Sequence, residues 1–267
     1  MAKRSGNGRR PSRERRKRSS SAEVLEGRNP VVECLARGRR KVLVIWIDER
    51  TRPSPKVERL RQLAADSGVS IHPVSRQVLD ERSITGVHNG VIAEVEAFPK
   101  WTTSALLDAI EARNEYPFLL VVDEVRYEHN LGAIMRSALG AGAHGLIVPH
   151  TRGKGLTPVV QRVAMGAAEE VAFVREGLSS ALKTLQKRAV KIVGADMGGE
   201  APWDLDLTGP LAIVLGGEDK GLTSTLRGKC DEIAGIPLVG GLQSLNVSVT
   251  AGVLMFERCR QVQNFSS

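Results

Sequence analysis

From Pro117 onward the chain alternates short apolar runs with helix-spaced segments, and this alternation constrains its fold more than any other feature. Phe118–Val122 and Leu211–Leu215 are continuous apolar runs of strand length, the pattern of strands buried on both faces of a parallel sheet. Between and after them the spacing predicts a helix over 131–141, a strand over 146–148, helices near 158–167 and 178–188, and strands near 171–174 and 190–195. A short helix after Gly221, a strand over 233–236 and a helix from about 247 to 262 complete the series. An open α/β sheet covered on both faces by helices is the expected architecture.

An earlier, smaller α/β unit precedes this one. Asn29-Pro30 can open a short helix, Val42–Ile47 reads as a buried strand, and Val57, Leu60, Leu63 and Ala64 recur at helical spacing. Strands are expected at 69–74 and 90–95. Residues 96–115 form a mixed connection with a helix near 104–112, so the boundaries fall at 22–95, 96–115 and 116–267.

The charge is localised. Of 38 Lys and Arg and 30 Asp and Glu, residues 1–21 hold nine and one, leaving 29 of each sign and no net charge in the rest. Such a tail cannot bury enough apolar surface to fold alone, and disorder is expected. Its charge suits a polyphosphate partner, although a solubilising tail without specific contacts fits the composition too. No apolar core follows it as in a signal peptide, and it lacks the apolar face of a transit helix. No apolar run approaches the roughly 20 residues that span a bilayer. Cys34, Cys230 and Cys259 are scattered, and the five histidines show no ligand spacing, so no metal site is expected and a reducing compartment, the cytoplasm, is the natural setting.

Three loops follow predicted strands, where open α/β sheets place ligand sites. Asn130 fits a helix N-cap ahead of the stripe Leu131, Ile134, Met135, Ala138 and Leu139. Arg136 lies roughly 140° round that helix from Leu131, pointing to solvent or to a cleft. Gly216-Gly217 lets backbone approach a ligand, although such turns are common, and Lys220-Gly221-Leu222 does not complete a phosphate-loop pattern. Ser244 and Asn246 suit both helix capping and the orienting of a hydroxyl. The last helix is apolar on more than one side, as expected if one surface meets another subunit.

Asn130-Leu131-Gly132-Ala133-Ile134-Met135-Arg136-Ser137-Ala138, Gly216-Gly217-Glu218-Asp219-Lys220-Gly221 and Ser244-Leu245-Asn246-Val247-Ser248, in this order, resemble the three motifs of the SpoU (TrmH) family of RNA ribose 2'-O-methyltransferases. The resemblance runs from about residue 24 and is closest to the branch that methylates a guanosine of large-subunit (23S) ribosomal RNA. It implies a SPOUT-type catalytic domain with a C-terminal trefoil knot. A small L30e-like α/β domain that binds RNA precedes it, matched by Asp80-Glu81-Arg82-Ser83 and Val87-His88-Asn89-Gly90-Val91-Ile92-Ala93. It further implies a homodimer that uses S-adenosylmethionine and needs no metal.

By the same resemblance, Leu215, Gly216, Gly217, Ile236, Leu238, Ser244, Leu245 and Asn246 bind the cofactor. Asn130, Arg136, Glu218, Ser244 and Asn246 serve catalysis; the family's base maps to Arg136, which in family dimers can serve the partner subunit's cofactor, whereas its guanidinium chemistry suits gripping the neighbouring phosphate and stabilising the developing alkoxide. The chain departs from the family at Tyr127-Glu128, where Asp-Pro is frequent, and at Asp219, where Gly is frequent. A transfer-RNA or other ribosomal-RNA methyltransferase of the same fold, and a non-catalytic RNA-binding ribosome-assembly protein, remain the competing readings.

Overall fold

A computed structural model describes residues 22–151, 155–217 and 221–264. The basic tail and Glu218, both singled out above, lie outside the described residues.

Among the described residues, ten strands form two sheets. The first contains β1 (Ala22–Glu26), β2 (Val42–Asp48), β3 (Ile71–Val74) and β4 (Val91–Glu96) in the order β1-β4-β2-β3. Pairing is antiparallel except between β2 and β3. Helices α1 (Arg28–Arg37) and α2 (Pro55–Asp66) bury Val31, Leu35, Val57 and Leu60 against Ile45, Ile47 and Ala93. A third helix, α3 (Arg76–Arg82), lays Leu79 on the other face with Ile92.

β1 and α3 carry no periodic signal in the sequence. Glu23 and Glu26 interrupt the apolar pattern of β1, and only Leu79 of α3 is buried. The first helix starts at Arg28 rather than at Asn29-Pro30, because Gly27 takes the cap position at φ 103°.

The second sheet is wholly parallel, ordered β10-β8-β9-β5-β6-β7. Its strands are β5 (Phe118–Val122), β6 (Gly145–Val148), β7 (Ala172–Arg175), β8 (Lys191–Glu200), β9 (Leu211–Leu215) and β10 (Glu232–Ala234). β5 and β9 pair at the centre and are buried throughout. Alternate side chains therefore enter two cores. Phe118, Leu120 and Val122 meet Leu131, Ile134, Met135, Leu254 and Met255 of α5 (Glu128–Gly140) and α9 (Val247–Asn264). Leu119 and Val121 meet Ile110 of α4 (Thr103–Glu111) and Leu182 and Leu185 of α7 (Leu178–Lys187). Thus α4, within the stretch read as a connection, packs on the second sheet.

Strand order reverses between β5 and β9: β6 and β7 extend the sheet on one side of this pair, β8 and β10 on the other. That reversal opens a crevice beyond the carboxyl ends of the strands. β10 ends at Ala234, two residues short of the expected limit. Its register against β8 jumps from Ile233–Gly194 to Ala234–Glu200, and the Gly235 amide donates to the Glu200 carbonyl at 2.7 Å. A Cβ on Gly235 would stand 2.8 Å from the Gly199 backbone, so two glycines make this crossing possible.

Arg40 joins the two units. Its guanidinium grips Glu169 through Nε and Nη2 at 3.0 and 2.6 Å, donates to Glu23 at 3.0 Å and to Gln161 at 3.2 Å, and lies 3.4 Å over the Phe98 ring. Gln161 belongs to α6 (Pro158–Ala164), which packs on α5 through Gly132, where a Cβ would strike Val163. Arg162 donates to the Val87 carbonyl at 3.1 Å, and Arg37 pairs with Glu170 at 3.1 Å. The first unit is therefore anchored directly to the helix layer that carries Asn130.

Candidate active site

The crevice is a cleft of about 660 Å³, within the roughly 300–1,000 Å³ usual for small-molecule sites. Four stretches of chain supply one side: Ala195-Asp196-Met197 along β8, Leu215-Gly216-Gly217 from the end of β9, Ala234, Ile236 and Leu238 from the end of β10, and Gln243 to Val247 leading into α9. The α5 side adds Tyr127 and Asn130. All eight residues expected to bind the cofactor line this cleft, and so does Asn130.

Gly216 is required by space. Its absent Cβ would lie 2.1 Å from the Gly221 carbonyl carbon, because the following loop folds back through paired hydrogen bonds between Gly217 and Gly221 at 3.1 and 3.0 Å. Asp196 borders the cleft beside this loop and pairs with Arg227, at the end of the short helix α8 (Ser224–Arg227). Asp196 and Met197 escape sequence reasoning because β8 is expected to end at Ala195. The available signal is an acidic residue at the same sheet edge as the three loops.

Asn246 caps α9. Its Oδ1 accepts the Ser248 amide at 2.8 Å and the Ser248 hydroxyl at 2.6 Å. An amide N–H can only donate, so Oδ1 must face it and Nδ2 must point away. Nδ2 accordingly donates to Asn130 Oδ1 at 3.1 Å. Capping and site building are one arrangement: the cap fixes the amide orientation, and the orientation links the starts of two helices 116 residues apart.

Asn130 is not the cap of α5. The helix begins at Glu128 with Tyr127 as N-cap, which places Asn130 in the first turn with its amide donating to the Tyr127 carbonyl at 3.0 Å. Arg136 is exposed and does not line the cleft. Six residues along the helix carry it about 9 Å further on and about 120° round from Asn130. Ser244 is exposed at the rim.

The lining fits a phosphate-free cationic cofactor. Leu215, Ile236, Leu238 and Leu245 provide apolar walls, Asn246, Ser244, Gln243 and Thr250 provide polar groups, and Asp196 is the one acidic side chain among the described lining residues, with no Lys or Arg among them. S-adenosylmethionine has this chemistry: a flat adenine, ribose and amino-acid groups that hydrogen-bond, and a sulfonium that an arginine-lined pocket would repel.

Residues 117–256 match the model of the SpoU rRNA Methylase family, and residues 24–101 match that for RNA 2'-O ribose methyltransferase substrate binding. The chain is 40% identical over 248 residues to the 23S rRNA (guanosine-2'-O-)-methyltransferase RlmB of Pseudomonas putida, covering 91% of this chain and 98% of that one. It is 41% identical to the protein of the same name from Shewanella oneidensis, covering 90% and 97%. Among solved structures, the SpoU methyltransferase AviRb from Streptomyces viridochromogenes in complex with AdoMet superposes with a TM-score of 0.75, at 25% identity and over 91% of each chain. With family models matching both units and the cleft assembled from the three motif loops, this chain belongs to the SpoU family of S-adenosylmethionine-dependent RNA 2'-O-ribose methyltransferases.

Proposed function

We propose that this chain methylates the ribose 2'-hydroxyl of a guanosine in 23S ribosomal RNA, in the cytoplasm, as a homodimer. The observation that carries the reaction is the Asn246–Asn130 hydrogen bond, which joins the cofactor loop to the α5 wall inside one cleft. The choice of RNA is supported by the names of relatives aligned over nearly their whole lengths.

Bound cofactor would supply an electrophilic methyl group: the ribose oxygen would take the methyl, the sulfonium C–S bond would break to leave a neutral thioether, and the hydroxyl proton would pass to solvent. Leu215, Ile236, Leu238 and Leu245 hold the adenine between them, and the backbone around Gly216, Gly217 and Leu238 reads its edge. Asn130, Asn246 and Ser244 orient the hydroxyl, so that positioning provides much of the rate. The catalytic role expected of Glu218 falls outside the described residues.

Arg136 acts by the charge of its guanidinium, as an electrostatic partner rather than as a base. Its place off the cleft makes sense in a dimer. Val249, Val253 and Phe256, exposed by 51%, 37% and 52%, form an apolar stripe on α9 beside α5, and a second copy covering it would present Arg136 to the partner's cleft. A trefoil knot, in keeping with the family, would hold the C-terminal loops together.

Residues 22–95 form the RNA-binding unit and 116–267 the methyltransferase, with α4 fixed to the latter. Residues 1–21 add non-specific RNA affinity. Their removal should flatten the salt dependence of RNA binding, by about 0.9 in slope for each phosphate that the tail had neutralised. The test of substrate is the map of 2'-O-methyl sites in a deletion strain. Loss of one guanosine modification from 23S rRNA is expected; loss from transfer RNA would refute the assignment.

A further inference from the structure

Tyr127 has no part in the cofactor reading, yet it occupies the lip of the cleft. Its side chain is 68% exposed. It also takes the N-cap position of α5 without making a side-chain cap hydrogen bond, where Ser, Thr, Asp or Asn would stabilise the helix. The sequence thus forgoes a cap and leaves a large ring in water. Departures of this kind, with no local gain, concentrate at functional positions.

The backbone beneath the ring is fixed, since the Tyr127 carbonyl accepts the amides of Asn130 at 3.0 Å and Leu131 at 3.3 Å. The apolar walls of the cleft come from the loops after β9 and β10 and before α9, whereas Tyr127 shares the α5 wall with Asn130. A ring on that wall is on the side of the acceptor ribose. A nucleotide cannot present its 2'-hydroxyl to Asn130 without bringing its own base close by. We propose that Tyr127 is the stacking platform for the base of the nucleotide being methylated, a substrate-binding residue that the family's frequent Asp-Pro at this place would not provide.

This rests on the RNA methyltransferase reading, and one experiment separates the two. Initial rates are measured with wild-type full chain, Tyr127→Ala, Tyr127→Leu and Tyr127→Phe on 23S rRNA, with S-adenosylmethionine affinity by calorimetry. Removing one base–aromatic stack should raise the KM for RNA roughly five- to 150-fold in Ala and Leu, with kcat changing less. Tyr127→Phe keeps the ring and should restore the KM, and cofactor affinity should hold in all three. Wild-type KM in Tyr127→Leu would overturn the proposal, as would cofactor affinity falling in step with RNA affinity, which would assign the ring to the cofactor. A wild-type chain that methylates no RNA would instead overturn the reading beneath it.

Discussion

Replacing Arg40 by alanine should loosen the union of the two units. The guanidinium and the Glu169 carboxylate are almost wholly buried, with side-chain exposures of 2% and 4%, and they share two hydrogen bonds. Truncation would leave the Glu169 charge buried without its partner, a change that typically costs about 3–5 kcal/mol. For a protein of this size each kcal/mol lowers Tm by about 2–4 °C, so a fall of roughly 6–20 °C is expected by calorimetry.

Cys34 reports the same event. Burial, ahead of the nearby Glu169 charge, pushes its thiol up to about 12, and its Sγ lies 3.9 Å from the Arg40 carbonyl. It should resist alkylation at pH 8 in the native chain; because the Arg40 charge itself lowers the thiol, reaction in Arg40→Ala would report exposure as the units part. A double-mutant cycle with Glu169→Ala separates the pair from general damage. Because truncating either partner breaks the same ion pair, the double variant should be destabilised much less than the sum of the two single variants. An additive cycle, or a Tm change under about 2 °C, would refute the view that this pair fastens the units.

Gly216→Ala should weaken S-adenosylmethionine binding roughly tenfold or more by calorimetry, because the new Cβ must push the Gly221 backbone aside. Asn130→Ala removes the acceptor for Asn246 Nδ2 and should lower kcat about 100-fold with cofactor binding kept. Unchanged turnover would detach the pair from catalysis. Burial raises the Glu26 carboxyl, but hydrogen bonds from Thr85, Ile84 and Ser83 together outweigh it and hold the group below the ordinary 4.5. A lowered carboxylate stabilises the fold above that value and ceases to do so as pH falls through its own lower one. The urea midpoints of wild type and Glu26→Gln should therefore differ at pH 6, begin to approach each other as the pH falls below 4.5, and meet only below the lowered native value.

The parallel sheet was legible because Phe118–Val122 and Leu211–Leu215 are apolar without interruption, as only doubly covered strands are. β1 was not, since Glu23 and Glu26 answer to distant partners, Arg40 and the 83–85 turn, that no local pattern reveals. The cleft residues could be gathered from the three motifs, because each follows a strand at the same sheet edge. Tyr127 and Asp196 could not: one breaks the capping rule, and the other lies in a strand that outruns its apolar run. The placement of Arg136 away from the cleft follows from helix geometry once α5 is fixed at Glu128 rather than Asn130.

The most direct measurement is transfer of labelled methyl from S-adenosylmethionine to purified 23S rRNA, followed by digestion to nucleosides. Label in 2'-O-methylguanosine, at about one methyl per 23S rRNA and abolished or greatly reduced in Asn130→Ala, is the expected result. Label on a base, or equal transfer by Asn130→Ala at saturating RNA, would contradict the assignment of this cleft.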